Sequence, residues 1–427
     1  MSATRVSWQQ CSECGHELSE TDPATRCPRC RGLLEVRHQP PADSPQALKQ
    51  RWNSPRAALP EAAASGVWRF RELVLPTATD IVSWPEGNTP LLRRAQPAAW
   101  AGCEGLLLKH EGMNPTGSFK DRGMTVGVTQ AKRIGAKAVA CASTGNTSAS
   151  LAAYAAQAGI PALVLVPAGN VALGKLTQSL AYGARTLLVR GDFDACLRLA
   201  EAASRELGVY LLNSINPFRV EGQKTIVFEL LQQLNWEVPD WIAVPAGNLG
   251  NTAAFGKALV EAKQIGLIDR LPRMAAVQAA GAAPFAQAFA EGFAARRTVQ
   301  AETIATAIRI GSPASWDRGV RAIRDTGGVV TAVSDDDILE AKATVDAAGI
   351  GCEPASAASV AGVRRLVREG TIKRSERVVA VLTGHVLKDP GILVKYHQEM
   401  EPRPERANRP IEVGADVREV AAILQTT

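Results

Sequence analysis

From about residue 86 to residue 400 the chain alternates short apolar runs with alanine-rich helical patterns, and this alternation restricts the fold more than any other feature. Strands that alternate with helices are typical of parallel β/α layers, because each helix returns the chain to the start of the next strand. The predicted strands are residues 137–143, 162–166, 185–189, 241–246, 329–333 and 378–382. Ser334 and Asp337 form a capping-box pattern, which predicts that a helix starts directly after the strand 329–333. For this many strands, two open, mainly parallel sheets covered by helices fit better than one very wide sheet.

The 427 residues exceed what one small core needs, so the chain is predicted to contain more than one domain. Residues 41 to about 85 are rich in Pro, Ala and Trp and are predicted to wrap over a larger body. We expect five parts, which are a cysteine-rich module (1–40), an extension that leads into a large domain (41–125), a smaller α/β domain (126–218), the rest of the large domain (219–400) and a C-terminal arm (401–427).

Composition and charge exclude several classes of protein. A hydrophobic fraction of 46% and a charged fraction of 21% are typical of a globular domain. No apolar run approaches the roughly 20 residues that a membrane span needs, and the N-terminus lacks an apolar signal core. The net charge of +6 is scattered rather than gathered into a stripe, which argues against nucleic-acid binding. We therefore expect a cytoplasmic enzyme that contacts neither membrane nor nucleic acid.

Four of the eight cysteines form two close pairs near the N-terminus. Cys11 and Cys14 form one C-x2-C pair, and Cys27 and Cys30 form a second pair after twelve intervening residues. Two such pairs supply four thiolates to one tetrahedral Zn(II) and leave no open position for water. A small module of this kind gains much of its folding free energy from the metal. The spacing predicts a structural zinc ribbon, and a knuckle that has lost its metal is the alternative.

A lysine follows a Gly-Ser turn in the segment that runs from Lys109 to Gly123. The turn places Phe119 and Lys120 at a predicted helix start. The positive end of the helix dipole lowers the pKa of a lysine there and favours its neutral amine. Because neutral amines attack aldehydes, Lys120 is a candidate Schiff-base lysine.

Two further loops each follow a predicted strand and open a helix. Residues 143–147 read Ser-Thr-Gly-Asn-Thr, and residues 247–251 read Gly-Asn-Leu-Gly-Asn. Backbone amides at a helix N-terminus bind carboxylates and phosphates. The second loop matches neither the dinucleotide fingerprint nor the P-loop, so dinucleotides and nucleoside triphosphates fit it poorly. A capped helix with a tight turn remains the alternative for the first loop.

The string from Asn114 to Gly123 resembles the cofactor-lysine segment of fold-type II enzymes that depend on pyridoxal 5′-phosphate (PLP). Its longer form, from Lys109 to Met124, is most similar to the threonine synthase family. The similarity continues through Glu86–Leu91 and covers roughly residues 86–390. It implies a fold like that of tryptophan synthase β, PLP as cofactor and a homodimer.

The resemblance also implies roles for individual residues. Lys120 is the catalytic Schiff-base lysine, Asn146 contacts the 3′ oxygen of the cofactor, and Thr383 hydrogen-bonds its pyridine nitrogen. The implied cofactor-binding residues are Lys120, Phe119, Asn146, Gly247, Asn248, Leu249, Gly250, Asn251 and Thr383. The implied substrate-binding residues are Ser143, Thr144, Gly145, Thr147, Asn213, Arg219 and Asn248. The segment 353–356 resembles another family segment near the cofactor, and its role is left open, with packing as the alternative. His385 is interpreted as structural, and Val386 stands where the family pattern has a glycine.

The implied reaction converts O-phospho-L-homoserine and water into L-threonine and phosphate by β,γ-replacement. Arg219 is the expected partner of the substrate phosphate, because a guanidinium binds a phosphate through two parallel hydrogen bonds. A threonine or serine dehydratase and an O-phosphoserine-using synthase, similar to cysteate synthase, are alternatives on the same fold. A non-catalytic zinc-ribbon adaptor is an alternative from another class.

Overall fold

The computed structural model describes residues 5–54, 62–169 and 173–425. The chain divides into two compact units, Met1–Lys388 and Asp389–Thr427. The second unit contains helices α13 (Pro390–Val394) and α14 (Val417–Gln425), with a π-helical turn at Lys395–Glu399. Within the described residues, no helix is both long enough and apolar enough to cross a membrane.

The first unit begins with a small antiparallel sheet in the order β2-β1-β3. Its strands are β1 (Ser7–Cys11), β2 (Glu17–Ser19) and β3 (Leu34–His38). Cys11 is paired with Leu34 at the end of the β1–β3 ladder, so the sheet holds the first cysteine pair beside the segment that follows the second.

The larger of the two main sheets has six strands in the order β12-β11-β10-β13-β5-β4. Its strands are β4 (Leu91–Leu92), β5 (Gly105–His110), β10 (Trp241–Pro245), β11 (Arg273–Ala279), β12 (Val329–Val333) and β13 (Arg377–Leu382). Only the edge strand β4 pairs antiparallel to its neighbour. Ile242 and Val244 of β10 enter one hydrophobic core, while Trp241 and Ala243 enter another. Successive side chains of a strand point to opposite faces, so helices cover both faces of this sheet.

The smaller main sheet has four parallel strands in the order β8-β7-β6-β9. They are β6 (Ala138–Ala142), β7 (Ala162–Pro167), β8 (Arg185–Val189) and β9 (Val209–Leu211). The prediction of two open, mainly parallel sheets is therefore confirmed. All six predicted strands are present within one or two residues of their predicted ends, because each is an apolar run followed by a turn.

Helices connect the strands of both sheets. The helices of the first unit are α1 (Pro45–Trp52), α2 (Ala95–Ala101), α3 (Lys120–Arg133), α4 (Asn146–Ala158), α5 (Leu173–Ala181), α6 (Phe193–Leu207), α7 (Pro217–Gln233), α8 (Gly250–Ile265), α9 (Pro284–Ala290), α10 (Trp316–Asp325), α11 (Asp335–Ala347) and α12 (Pro354–Arg368). Short 3₁₀ helices lie at Ala62–Ala64, Trp68–Leu73, Glu111–Met113, Ala280–Ala282, Thr306–Ile308 and Val386–Lys388. The predicted capping box is confirmed, since Ser334 and Asp337 exchange hydrogen bonds at the start of α11.

The five proposed parts of the chain correspond only partly to these elements. Strands of the smaller sheet fall within residues 126–218, and strands of the larger sheet lie on either side of that range. Helix α3 crosses the proposed boundary at residue 125, and the second compact unit begins at Asp389 rather than at residue 401.

Aromatic side chains pack together in the extension. The rings of Trp52 and Phe70 are buried, and their centroids lie 5.2 Å apart.

Buried charges join the N-terminal sheet to the helices of the large domain. His38 Nε2 lies 2.9 Å from Glu221 Oε2 on α7, and Lys257 Nζ on α8 lies 2.6 Å from Glu221 Oε1. Glu35 on β3 lies 3.3 Å from the guanidinium of Arg318 on α10. Strand β3 is therefore linked directly to α7 and α10 and, through Glu221, to α8. Helices α7 and α8 also supply residues of the candidate site.

Candidate active site

Lys120 is the first residue of α3, where the sequence predicts it. Gly117 adopts a φ of 83°, which favours glycine, and lets the chain turn into the helix. The backbone N–H of Phe119 donates to the carbonyl oxygen of Thr383 at 3.0 Å. The turn is thereby attached to the C-terminal end of β13. Lys120 Nζ lies 4.0 Å from the centroid of the Phe119 ring.

The side chain of Lys120 is only partly accessible, and its ammonium group has an unusually low pKa. Burial and, to a smaller extent, the positive charge of Arg219 lower the pKa of Lys120 to about 7, while Glu353 opposes both effects. Desolvation disfavours the ammonium because a charge loses its hydration in an apolar surrounding. Near neutral pH a large fraction of Lys120 is therefore a neutral amine, which is the nucleophilic form.

Arg219 lies in the first turn of α7 and is almost fully buried. Its Nη1 donates to the carbonyl oxygen of Leu212 at 3.1 Å. Within the described part of the chain, its Nε and Nη2 atoms have no hydrogen-bond partner. Burial lowers the pKa of Arg219 to about 10. A buried guanidinium with two unused donors is suited to an incoming anion, because buried charges are otherwise paired.

Two glycines of α3 let this helix approach α7 closely. A Cβ atom on Gly123 would lie 2.9 Å from the carbonyl oxygen of Arg219, and one on Gly127 would lie 2.7 Å from a methyl group of Leu212. A larger residue at position 123 would press on the backbone of α7, whereas one at position 127 would press on the side chain of Leu212, which precedes α7. The small residues therefore help to keep Lys120 and Arg219 near each other.

The Ser-Thr-Gly-Asn-Thr loop lies between β6 and α4, and all five of its residues are partly accessible. Ser143 Oγ accepts a hydrogen bond from the backbone N–H of Gly145 at 3.2 Å, and Ser148 Oγ donates to the carbonyl oxygen of Gly145 at 2.8 Å. Asn146 Nδ2 donates to Glu353 Oε2 at 2.9 Å. The loop is thus fixed from within, and its asparagine is fixed by a residue that precedes α12.

Asn213 extends the end of β6 through its side chain. Its Oδ1 accepts from the backbone N–H of Ala142 at 3.1 Å, and its Nδ2 donates to the carbonyl oxygen of Ala142 at 3.2 Å. Asn213 therefore positions the residue that precedes Ser143. Its role in binding a phosphate, which the resemblance implies, stays a prediction.

The Gly-Asn-Leu-Gly-Asn loop follows β10, and its turn is made by Leu249, whose φ is 62°. Helix α8 begins at Gly250. Asn251 Oδ1 and Thr252 Oγ1 are buried and lack a hydrogen-bond partner within the described residues. Asn248 Oδ1 accepts from the backbone N–H of Ala314 at 3.2 Å. The backbone N–H groups at the start of α8 and the Thr252 hydroxyl can donate to an anion, as in an anion-binding loop, whereas Asn251 Oδ1 can only accept.

Thr383, at the end of β13, lies next to two polar side chains of the segment whose role was left open. Its Oγ1 lies 3.0 Å from Ser356 Oγ and 3.2 Å from Glu353 Oε1. Glu353 is buried, and burial raises the pKa of its carboxyl. Sequence reasoning did not assign Glu353 to the site. The signals were the resemblance of residues 353–356 to a family segment near the cofactor and a carboxylate directly before Pro354, at the start of a helix rich in Ala and Ser.

The predicted site residues gather where the parallel strands end. Strands β5, β10 and β13 are neighbours, so the loops after them meet at one edge of the larger sheet. The Gln223 side chain of α7 lies near both Gly123 and Gly250, and its amide is 3.6 Å from where a Cβ on Gly250 would lie. The starts of α3 and α8 are thereby brought to the same side chain.

A second lysine of the same segment has a purely structural environment. Lys109 is fully buried, and its Nζ lies 2.5 Å from Glu229 Oε1. Arg122 lies 2.7 Å from both Glu111 and Glu229 and completes a buried cluster of two cations and two carboxylates. The sequence did not predict this cluster, because nothing in the spacing of its members indicates that they meet. Lys109 is occupied by ion pairs, and Lys120 has none within the described part of the chain.

The local contacts of His385 and Val386, in the loop after β13, explain how both residues are held. His385 donates its backbone N–H to the carbonyl oxygen of Gly117 at 2.9 Å, and its ring Nδ1 accepts from the N–H of Leu387 at 3.2 Å. Val386 packs against Gly351, where a Cβ would lie 3.0 Å from the valine Cβ. Gly351 therefore leaves room for the valine that replaces the expected glycine.

The four N-terminal cysteines meet in space. Their Sγ atoms lie within 4.8 Å of one another, with Cys11 and Cys30 at 3.5 Å and Cys14 and Cys27 at 3.6 Å. A tetrahedron with Zn–S bonds of about 2.3 Å has sulfur–sulfur edges of about 3.8 Å. All four cysteines are free thiols. The arrangement fits a four-thiolate metal site.

The groups around Lys120 fit PLP. The aldehyde of PLP needs a neutral amine, which Lys120 supplies, and its phosphate needs unused donors at a helix N-terminus, which the start of α8 supplies. Thr383 offers a neutral hydroxyl for the pyridine nitrogen. Each fitting feature is a property of the residues themselves, namely the lowered pKa of Lys120, the unpartnered hydroxyl of Thr252, which can donate, and a loop at a strand end.

Comparisons with known proteins agree with this chemistry. A family model described as pyridoxal-phosphate dependent enzyme matches residues 82–384. A curated threonine synthase of Methanosarcina acetivorans is 47% identical over 392 residues, covering 91% of this chain and 94% of the relative. A curated threonine synthase of Methanocaldococcus jannaschii is 44% identical over 422 residues, covering 98% of this chain and 99% of the relative.

Solved structures agree in fold. The threonine synthase from Escherichia coli matches with a TM-score of 0.69 at 18% identity, covering 98% of this chain and 99% of that chain. Maize serine racemase matches with a TM-score of 0.63 at 23% identity, covering 77% of this chain and 94% of that chain. The expected fold-type II architecture is thereby confirmed. The family model and the relatives aligned along nearly the whole sequence place the chain among the pyridoxal-phosphate dependent enzymes, in the threonine synthase family.

Proposed function

We propose that this chain is a PLP-dependent threonine synthase, a carbon–oxygen lyase that converts O-phospho-L-homoserine and water into L-threonine and phosphate. The observation that carries the proposal is the pair formed by Lys120 and Arg219. A lysine whose pKa is about 7 lies within the electrostatic influence of a buried guanidinium with two unused donors. Such a pair provides a proton-transfer group and an anion partner within electrostatic reach of each other.

The cofactor is assigned to the loops at the strand ends. Lys120 and Phe119 hold its aldehyde side, Asn146 its 3′ oxygen and Thr383 its pyridine nitrogen. The loop Gly247–Asn251 holds its phosphate. When bound, PLP supplies an aldehyde for amines and a ring that withdraws electrons from the substrate carbons.

The substrate is assigned to the groups around Arg219. The proposed set is Ser143, Thr144, Gly145, Thr147, Asn213, Arg219 and Asn248. The amides and hydroxyls of the loop 143–147 suit the α-carboxylate, because they lie at the N-terminus of α4. Arg219 suits the phosphate, because two parallel N–H groups match two phosphate oxygens.

Lys120 Nζ is the proposed proton carrier. A base removes a proton efficiently when its pKa lies near the working pH, and the pKa of Lys120 is about 7. In this reaction it takes the proton from Cα. A second proton is lost from Cβ as phosphate leaves from Cγ with the electrons of the carbon–oxygen bond, and Cγ then receives a proton. Water adds its oxygen at Cβ and gives up a proton, and Cα finally regains the proton that it lost. Charge repulsion from Arg219 favours the neutral amine before the proton is taken.

The dehydratase and the O-phosphoserine-using synthase remain the alternatives that an assay must separate. A dehydratase has no use for a guanidinium that binds a side-chain phosphate, whereas an O-phosphoserine-using enzyme would use Arg219 in a shorter pocket. The test supplies PLP and O-phospho-L-homoserine, with O-phospho-L-serine and L-threonine run in parallel. Phosphate and threonine in equal amounts from the first substrate are expected. Turnover of only L-threonine or only O-phospho-L-serine would overturn the substrate assignment.

A variant pair links the activity to Lys120. Lys120→Ala is expected to abolish turnover, since it removes the proposed proton carrier. Lys132→Ala, in the last turn of the same helix, removes an exposed lysine that pairs with Asp80 and is expected to retain activity. Full activity in Lys120→Ala would remove the proposed mechanism. A non-catalytic adaptor would release no phosphate in any variant and would bind DNA or RNA in a salt-dependent manner.

The N-terminal module is proposed to hold one structural Zn(II) through Cys11, Cys14, Cys27 and Cys30. Four thiolates complete a tetrahedral site, so the metal would brace the module rather than meet substrate. We further propose that the protein acts as a homodimer in the cytoplasm, without membrane or nucleic-acid partners.

A further inference from the structure

We propose that Glu353 is a positioning residue that carries a proton and donates it to Thr383, so that the Thr383 hydroxyl is free to donate to the pyridine nitrogen. The inference rests on the proposed function, which assigns Thr383 and Asn146 to the cofactor. It concerns a residue to which neither the motifs nor the family resemblance gave a role.

The two oxygens of Glu353 have separate partners from the two sheets. Oε2 accepts from Asn146 Nδ2 at 2.9 Å. Asn146 begins α4, the helix that follows strand β6 of the smaller sheet. Oε1 lies 3.2 Å from Thr383 Oγ1, at the end of a strand of the larger sheet. Glu353 therefore joins the side chain assigned to the 3′ oxygen of the cofactor to the side chain assigned to its pyridine nitrogen.

The backbone fixes Glu353 in this place. Its N–H donates to the carbonyl oxygen of Gly384 at 3.1 Å. A Cβ on Gly384 would lie 2.5 Å from the Glu353 carboxyl carbon, so only glycine leaves room for the carboxyl. The Thr383–Gly384 end of β13 is thus shaped around this side chain.

The number of protons decides the direction of the hydrogen bond. A threonine hydroxyl has one proton to donate and accepts through its lone pairs. If Glu353 is ionised, the Thr383 proton points to the carboxylate and none is left for a ring nitrogen. If Glu353 is a neutral acid, its own O–H donates to Thr383 and the threonine proton is released. Ser356, 3.0 Å from Thr383, can also donate to the Gly384 carbonyl oxygen, so it does not by itself decide the direction.

The surroundings of the carboxyl favour the neutral acid. Among the described residues, no lysine or arginine forms an ion pair with Glu353. Burial raises the pKa of Glu353. It outweighs the hydrogen bonds from Asn146 and Thr383 and the longer-range charges of Lys120 on α3 and Lys388 after β13, which all lower that pKa. Cys352 lies beside it as a buried thiol whose pKa is raised, so it adds no charge.

Substituting Glu353 with glutamine or leucine distinguishes a required neutral acid from a required carboxylate. In Glu353→Gln the amide oxygen can accept from Asn146 while the amide N–H donates to Thr383, which reproduces the neutral acid. We expect this variant to bind PLP within about threefold of the unchanged protein, with the same absorbance spectrum of the bound cofactor. Glu353→Leu removes the acceptor of Asn146 Nδ2 and one of the two side-chain partners of Thr383 Oγ1, and it is expected to weaken PLP binding about 10- to 100-fold.

The absorbance of bound PLP should depend on pH if Glu353 acts through its proton. If Glu353 only supports the structure, its ionisation should leave that absorbance unchanged. Ionisation of Glu353 at high pH should shift the absorbance of the bound cofactor in the unchanged protein, and Glu353→Gln should lose that shift. Glu376→Gln, which alters a carboxylate bonded to Trp241 away from the site, is the control and should keep it. If Glu353→Gln instead weakens PLP as strongly as Glu353→Leu, the carboxylate is the required form and the proposal is wrong.

A variant of Thr383 tests whether Glu353 acts on the cofactor through that residue. Thr383→Val removes the hydroxyl at nearly constant volume, so the high-pH shift should be absent from this variant, whether or not it also carries Glu353→Gln. A shift that survives in Thr383→Val would contradict a role through Thr383. Because PLP binding is measured without substrate, failure of the threonine synthase assay with normal PLP spectra would overturn the proposed function and leave this inference intact.

Discussion

Lys109 Nζ lies 2.5 Å from Glu229 Oε1, although 120 residues separate them in the chain. The pair attaches the segment that leads to Lys120 to the helix that carries Arg219. The same carboxylate accepts from the backbone N–H of Thr89 at 2.9 Å and from Arg122 at 2.7 Å. The scaffold behind the site is therefore held by charges, while the site itself keeps Lys120 and Arg219 free of ion pairs within the described part of the chain.

Removing Lys109 is expected to destabilise the fold strongly. Lys109→Met leaves the buried Glu229 with one cation fewer, and breaking a buried pair costs about 3–5 kcal/mol. The free energy of unfolding, measured by urea titration with circular dichroism, should fall by this amount. Lys132→Met, which breaks an exposed pair with Asp80, should change it by less than about 1 kcal/mol. Equal effects of the two variants would contradict the structural role of Lys109.

The same cluster predicts how stability depends on pH. Arg122 and Lys109 lower the pKa of Glu229 to about 2 against the cost of its burial, whereas an unfolded glutamate titrates near about 4.3. A lowered pKa in the folded state adds stability that is present above about pH 4.3 and is lost as the pH falls towards 2. In Glu229→Gln this contribution is absent. The difference in free energy of unfolding between the two proteins should therefore be largest at about pH 6 and shrink at about pH 3. A difference that does not change with pH would contradict the ion pairing.

The amine of Lys120 should react with the PLP aldehyde at a lower pH than an ordinary lysine does. Only the neutral amine attacks, so the rate of covalent capture should rise through an apparent pKa of about 7 rather than near the ordinary lysine value of about 10. Stopped-flow absorbance after mixing the protein with PLP measures this rate. In Arg219→Leu the repulsion from the guanidinium is removed, so the midpoint should move to higher pH. A midpoint at the ordinary lysine value in the unchanged protein would contradict the lowered pKa.

Arg219 should distinguish phosphorylated substrates from others. Arg219→Leu removes two charge-assisted hydrogen bonds and is expected to lower kcat/KM for O-phospho-L-homoserine at least about 100-fold while PLP stays bound. Arg205→Leu, an exposed arginine of α6, is the matched control and should behave like the unchanged protein. An Arg219→Leu variant with an unchanged KM and kcat would remove Arg219 from the substrate site.

Metal analysis tests the cysteine module. The purified protein should contain one zinc per chain, and Cys14→Ser should lose it, because a tetrahedral site with three thiolates binds zinc much more weakly. Cys103→Ala, which removes a buried cysteine outside the cluster, should retain the metal. Zinc content that does not depend on Cys14 would show that this cluster is not the zinc site.

The parts of the molecule that could be predicted from sequence are those that depend on local pattern. The strand Val329–Val333 and the capping box after it were predictable, because an apolar run and the pair Ser334–Asp337 act over a few residues. Lys120 was predictable at a helix start for the same reason. The clustering of the four cysteines was predictable because metal-ligand spacing is local.

The parts that could not be predicted depend on contacts between distant segments. Glu353 meets Asn146 across 207 residues, and no sequence pattern indicates that a glutamate before Pro354 would reach a loop of the other sheet. Glu229 and Lys109 are similarly distant, so their burial as a pair was not predictable. Asn213 was assigned to a ligand by resemblance, whereas its side chain is also part of the hydrogen bonding that fixes the end of β6.

The most direct test of the central claim follows the oxygen atoms of the reaction in water enriched in ¹⁸O. With O-phospho-L-homoserine as substrate, the account predicts one ¹⁸O in the hydroxyl group of threonine and none in the released phosphate, because water adds at Cβ and the carbon–oxygen bond at Cγ breaks. Mass spectrometry of both products measures this distribution. Label in the phosphate together with homoserine as product would mean that the phosphorus–oxygen bond is cleaved, and that result would contradict the account.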